Sequence, residues 1–223
     1  MTEVSDRLYW LAQALIAFIP YLIGGLVAGA VVLALSVLLA RYWLWEWLLA
    51  FEKSLLLAIN ARSTAILDRW MFAVTLLGQR EVAGPLLGLV GSLLIYYHQS
   101  ASALVLGINL AGSWLLNWIF KGFFRRKRPE LWASPKRPLD YSYPSGHSMS
   151  AISFYGLLAV YGTRFLNITP WLTFPLGAVL SIAVGFSRMY LGVHWPTDVL
   201  SGWAAGGIWL AACLYGLVEI GAF

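Results

Sequence analysis

Charge is scarce in this chain. Lys, Arg, Asp and Glu together make up 11% of its 223 residues, against about a quarter in an ordinary soluble domain. With 60% hydrophobic residues and a mean hydropathy of +0.74, that shortage excludes a water-soluble globular domain and indicates a chain solvated by lipid. Cysteine is scarcer still. Cys213 stands alone inside an apolar run, so neither an intrachain disulfide framework nor a cysteine metal site is expected. A positive n-region is missing as well: residues 1–16 carry Glu3, Asp6 and Arg7, and the apolar run that follows continues past Ala28-Gly29-Ala30. A retained transmembrane helix is expected there, not a cleaved signal peptide. The net charge of +5 is modest, and its cations flank apolar spans instead of lining a polar face. That argues against nucleic acid and for an anionic lipid headgroup as partner.

What is there is mostly span. A transmembrane helix needs about 20 apolar residues. Residues 17–40 form one such run, and 82–120 is long enough for two, broken at His98-Gln99-Ser100. Further runs cover 148–163, 165–187 and 199–218. The expected fold is therefore an all-α integral membrane protein with six transmembrane helices in one membrane-embedded domain, 1–223. Residues 41–80 are broken by Glu46, Glu52, Lys53, Arg62, Asp68 and Arg69. Trp43, Trp47 and Phe51 recur every four residues, so this segment is predicted to form interfacial amphipathic helices between the first and second spans. A seventh span near 63–77 would place Asp68 and Arg69 in lipid at a cost of several kcal/mol.

The charge that remains is gathered in three clusters. Lys121 to Pro129 reads KGFFRRKRP, Pro144 to His147 reads PSGH, and Ser187 to Asp198 reads SRMYLGVHWPTD. Six spans place all three on one face of the membrane. His194 and Asp198 are four apart and share a helical face, with Pro196 suited to the first turn. Asp198 can take the proton of one imidazole nitrogen and leave the other free as nucleophile or base. Arg188 offers a planar fork to phosphate oxygens. Ser145 suits an N-cap, Gly146 a close backbone approach, and His147 a proton donor to a leaving oxygen. Lys121 and Arg128 can point at one anion. Arg125, Arg126, Lys127, Lys136 and Arg137 read as an unselective basic belt against lipid phosphates.

Taken together, Lys-x6-Arg-Pro, Pro-Ser-Gly-His and Ser-Arg-x5-His-x3-Asp, in that order, resemble the signature of the type-2 phosphatidic acid phosphatase superfamily, and every signature position matches. Its members include membrane lipid phosphatases, the membrane glucose phosphatase and soluble vanadium haloperoxidases. The resemblance implies that His194 is the nucleophile that forms a phospho-histidine, that Asp198 orients it, and that His147 is the general acid. It implies that Lys121, Arg128, Ser145, Gly146 and Arg188 bind the phosphate. It also implies chemistry without a metal or other cofactor, and a site on the outer, periplasmic or extracellular face. Seven Lys and Arg between Lys121 and Arg137 would instead put that face inside by the positive-inside rule.

The expected activity is dephosphorylation of a lipid phosphate, with phosphatidic acid or a related glycerophospholipid phosphate ahead of undecaprenyl diphosphate. A lipid phosphotransferase is the alternative with the same intermediate, and a non-catalytic membrane transporter the alternative of a different class. Completeness of His147, Arg188, His194 and Asp198 favours the enzyme. Trp132, Tyr141 and Tyr143 are expected to shape headgroup choice.

Overall fold

The computed structural model describes residues 2–43, 45–134 and 137–219. Among them are eight helices and no strand: α1 (Thr2–Trp43), α2 (Trp45–Asn60), α3 (Ala65–Leu76), α4 (Arg80–Tyr96), α5 (Ser100–Phe124), α6 (Gly146–Leu166), α7 (Pro170–Tyr190) and α8 (Pro196–Glu219). Their outer faces are apolar. Ile16, Ile19, Ile23, Val27, Val31 and Leu35 lie exposed along α1, as do Leu172, Leu176, Val179 and Ile182 along α7. In water such belts would be aggregation surfaces; in a bilayer they are the solvated face. The chain is an integral membrane protein.

Among the described residues, four segments are long and apolar enough to cross a membrane on length and composition: Ile16–Ser36 within α1, and the whole of α5, α7 and α8. The six-helix expectation also counted α4 and α6. The apolar part of α4, Glu81–Tyr96, is short, about 24 Å of helix against a hydrocarbon core of about 30 Å. α6 has the length, but its serines lower its hydropathy. Ser148 and Ser153 are fully buried, and Ser153 Oγ donates to the Gly206 carbonyl of α8 at 3.1 Å. That polarity faces protein, not lipid.

Helix ends follow local chemistry. The break after α4 falls where the sequence places it, with His98 at positive φ. The predicted run 165–187 is shifted: α6 continues to Leu166, Asn167 closes it in the left-handed conformation, and α7 opens at Pro170. Proline at the first helical position lacks a donor that would be unpaired anyway. α2 and α3 hold 16 and 12 residues, fewer than the about 20 a span needs. Trp47 and Phe51 stack on the exposed side of α2, while Glu52 and Leu56, four apart, are buried.

The core is the packing of α6 with α7 and α8, and of α8 with α1. α8 approaches α6 on glycine: a Cβ at Gly202 would lie 2.6 Å from the Ser145 carbonyl, and one at Gly206 2.5 Å from that of Met149. This approach sets the start of α6 against the start of α8. Gly206→Ala is expected to force the two helices apart and to cost about 1–3 kcal/mol, read as a lowered thermal midpoint in detergent; an unchanged midpoint would show that the contact is not tight.

Candidate active site

The three polar clusters meet where four helices end. Arg125, left-handed at the end of α5, turns the chain into the loop that carries Arg126, Arg128 and Asp140. Ser145 caps α6, its oxygen accepting from Ser148 N at 3.4 Å. Leu191 ends α7, and Gly192 at φ +65 makes the turn that delivers His194 to the start of α8. Ser145 N donates to the Asp198 carbonyl at 2.9 Å, tying the second cluster to the third.

His194 is 1% exposed. Its Nε2 lies 3.0 Å from Arg128 Nη1 and its Nδ1 3.4 Å from Asp198 Oδ2. A guanidinium has no lone pair to offer, so Nε2 accepts and the proton of the neutral ring sits on Nδ1, facing Asp198. Burial, then the charges of Arg128, Arg188 and Lys121, hold this imidazole well below the usual histidine range. The ring is therefore neutral with a lone pair on Nε2. Asp198 is fixed independently: Arg126 Nη1 donates to Oδ1 at 2.7 Å and Trp195 N to Oδ2 at 2.9 Å.

Around Nε2 lie the cations. Arg128 donates from Nη1 to the Val193 carbonyl at 2.7 Å, from Nε to the Asp140 carbonyl at 2.8 Å, and from Nη2 to Asp140 Oδ1 at 2.6 Å. Lys121 also donates to Asp140, through its other oxygen. Arg188, 5% exposed, donates from Nη1 to Thr75 Oγ1 at 2.6 Å. Its Nε and His147 Nε2 are buried with no partner among the described residues. Unpaired buried donors and a converging set of cations suit an anion with several oxygens. Gly146 has a reason for being small that the sequence does not show: a Cβ there would lie 2.8 Å from Asn117 Oδ1, and Asn117 donates to the Pro144 carbonyl at 3.0 Å.

All eight predicted site residues thus lie at this one end of the bundle. Two expectations fail. Arg126 does not belong to a basic belt; its Nη2 donates to Glu52 Oε2 at 2.6 Å while Nη1 holds Asp198. Tyr143 does not face a headgroup. It is 3% exposed, against Phe124, and its hydroxyl donates to the Leu33 carbonyl at 3.3 Å. Trp132 lies over Gly192, Tyr141 is exposed, and Lys136 lies outside the described residues. The sequence also missed Glu52, Thr75, Asn117 and Asp140. Glu52 is fully buried and its Oε1 accepts from the amide and hydroxyl of Thr197 at 3.0 and 2.5 Å, capping α8. Nothing in the sequence separates it from Glu46.

Comparison with known proteins gives the family. The description of the PAP2 superfamily matches residues 102–221, which include all three clusters. The chain belongs to the PAP2 superfamily. Phosphatidylglycerophosphatase B of Bacillus subtilis (strain 168) is 31% identical over 156 residues, 67% of this chain and 76% of that protein. An undecaprenyl-diphosphatase of Sulfolobus acidocaldarius is 29% identical over 168 residues, 73% of this chain and 76% of that protein. The crystal structure of a transmembrane PAP2 type phosphatidylglycerolphosphate phosphatase from Bacillus subtilis superposes with a TM-score of 0.75 at 25% identity, covering 88% of this chain and 95% of that one. Glu52 and Thr75 lie outside the matched family segment.

Glu52→Ala should leave Arg126 and the first turn of α8 without their buried acceptor. Loss of one partner from such a pair costs about 3–5 kcal/mol, so the expected result is a strongly lowered thermal midpoint in detergent. A midpoint within a degree of wild type would mean that α2 does not hold the site.

Proposed function

We propose that this chain removes phosphate from a membrane lipid phosphate through a phospho-histidine on His194, and that its physiological substrate is phosphatidic acid or a related glycerophospholipid phosphate. The observation that carries the reading is the state of His194: neutral, backed by Asp198 at Nδ1, with its Nε2 lone pair among Lys121, Arg128 and Arg188. Nε2 attacks phosphorus, and the P–O bond to the lipid breaks. His147 gives its proton to the leaving oxygen. A water, losing its proton to His147, then attacks the phospho-histidine; the P–N bond breaks, and inorganic phosphate leaves with His194 neutral again. The cations stabilise charge on the transferring group, which is most of what such a reaction asks of a protein. Ser145 and Gly146 complete the phosphate shell at the start of α6.

An apolar substrate tail is supported by a cavity of about 840 Å³ between α4, α6 and α7, lined by Val90, Leu94, Leu158, Phe165, Leu176 and Leu180 among others. Tyr155 lines it and donates to the Leu77 carbonyl, next to Gly78, whose backbone lies against His147. The relatives' names support both a glycerophospholipid phosphate and, as a second reading, undecaprenyl diphosphate. An acceptor lipid in place of water would make the same intermediate a phosphotransferase. The arrangement in the bilayer that fits is one domain of six spans, with α4 and α6 added to the four apolar helices. α2 and α3 lie at the interface, and the site is on the outer face.

The test is phosphate release by purified protein in detergent from phosphatidic acid and from undecaprenyl diphosphate, each with excess EDTA. Wild type is expected to release phosphate regardless of EDTA, and His194→Ala to lose about a thousandfold or more. Release that persists in the variant would remove His194 from the chemistry. Because the His194 imidazole is held neutral, its lowered pKa keeps the nucleophile unprotonated as pH falls. The acid limb of kcat/KM assigned to it should lie below about 6.5; an acid limb above that value would contradict the buried, cation-surrounded ring.

A further inference from the structure

Two cations of the first cluster, Lys121 and Arg128, share one carboxylate. Lys121 holds one oxygen of Asp140, and Arg128 Nη2 holds the other at 2.6 Å. This is the disposition two terminal oxygens of a phosphate would take between the same cations. The three partners are not equally fixed. The side chains of Lys121 and Arg128 are 16% and 5% exposed, while that of Asp140 is 52% exposed. Asp140 also comes from the connection between α5 and α6, not from a packed helix. The carboxylate is the member of the trio with room to leave. On the other arm of the Arg128 guanidinium, Nη1 donates to the Val193 carbonyl at 2.7 Å and lies 3.0 Å from His194 Nε2. The unpaired Arg188 Nε and His147 Nε2 have no bond to Asp140.

We infer that the Asp140 carboxylate is an internal occupant of the phosphate subsite, and that a substrate binds by displacing it from Lys121 and Arg128. The inference rests on the phosphatase reading above. Partial burial works against ionisation of Asp140, but the hydrogen bond and charge of Lys121 and those of Arg128 bring its carboxyl down to about 2. The occupant is thus an anion at every working pH. Displacement then becomes a filter. A phosphodiester headgroup brings one negative charge and two terminal oxygens, no more than Asp140 already supplies. A phosphate monoester, or the end of a diphosphate, brings a second charge and a third oxygen, enough to engage Arg188 as well. Asp140 thereby sorts terminal phosphates from the phosphodiester lipids that fill a bilayer. Its return helps expel inorganic phosphate after turnover.

The experiment compares wild type, Asp140→Asn and Asp140→Glu as full-length protein in detergent. It reads the Ki of inorganic phosphate against phosphatidic acid hydrolysis, its Kd by calorimetry, and inhibition by phosphatidylglycerol in mixed micelles. Loss of one charge-assisted competitor is expected to lower Ki and Kd about tenfold in Asp140→Asn, with KM falling in the same direction. Phosphatidylglycerol should inhibit that variant and spare wild type, and Asp140→Glu, which keeps the charge, should stay near wild type. A Ki unchanged or raised in Asp140→Asn, or a loss confined to kcat, overturns the inference and makes Asp140 a positioning residue for the cations. So does a Ki in Asp140→Glu lowered as far as in Asp140→Asn. Failure of Asp140→Asn to fold overturns it too, because a displaceable surface carboxylate is not a folding requirement. Wild type that binds phosphate calorimetrically but cleaves no lipid phosphate would instead sink the phosphatase reading, and the Kd comparison would still decide Asp140.

Discussion

Two fully buried carboxylates, Glu52 and Asp198, converge on the guanidinium of Arg126. A buried carboxylate with no partner costs several kcal/mol, so neither can be placed without the other groups of the network. The network joins three parts of the chain with little else in common: a short helix after the first span, the loop after α5, and the first turn of α8. Thr197 adds its amide and hydroxyl to Glu52, so the N-terminus of α8 is capped from outside its own sequence. Because Asp198 is held this way, the His194 ring is oriented by a group that does not itself depend on substrate.

The opposite side of that ring carries an excess of positive charge. Lys121, Arg128 and Arg188 bear on His194, with Asp140 as the opposing charge. In water such a concentration would be screened; at the end of an apolar bundle it is not. It has two consequences. After burial, which is the larger cause, it helps keep the imidazole neutral, which suits a nucleophile, and it favours a ligand of high negative charge and small size. The glycines of α8 contribute by bringing the start of α6 against that of α8, so the Ser145–His147 segment shares the same field.

Much of the site was legible in the sequence because its residue types are expensive in an apolar chain. Lys121, Arg128, His147, Arg188, His194 and Asp198 stand out against long uncharged runs, and their spacing falls at span ends. Arg126 was misread because a run of cations beside a membrane has an ordinary explanation, and only the position of Glu52 decides against it. Glu52 was unreadable for the same reason: it lies in a segment whose visible period, Trp47 and Phe51, marks the exposed side of α2. Pairings across 74 or 72 residues, as between Arg126 and its two carboxylate acceptors, leave no local trace. The span count was legible to the extent that polarity tracks lipid. α6 breaks that link, because its serines are polar toward α8.

Asp198 and Asp140 both flank the Arg128–His194 pair, yet their surroundings assign them opposite parts. Asp198 is sealed, held by Arg126 and a backbone amide, and reaches the nitrogen that carries the proton. It cannot leave without stranding Arg126 and the α8 cap. Asp140 is half in solvent, and its carboxylate is held by the two cations a phosphate would want. One carboxylate is therefore fixed by the fold, and the other by the absence of a better anion. A site with only the first kind would present bare cations to every headgroup in the bilayer, and phosphodiesters are by far the commonest of these. An exposed internal anion raises the threshold for entry without altering the reacting geometry behind it, since the groups that hold His194 and those that hold Asp140 share only Arg128.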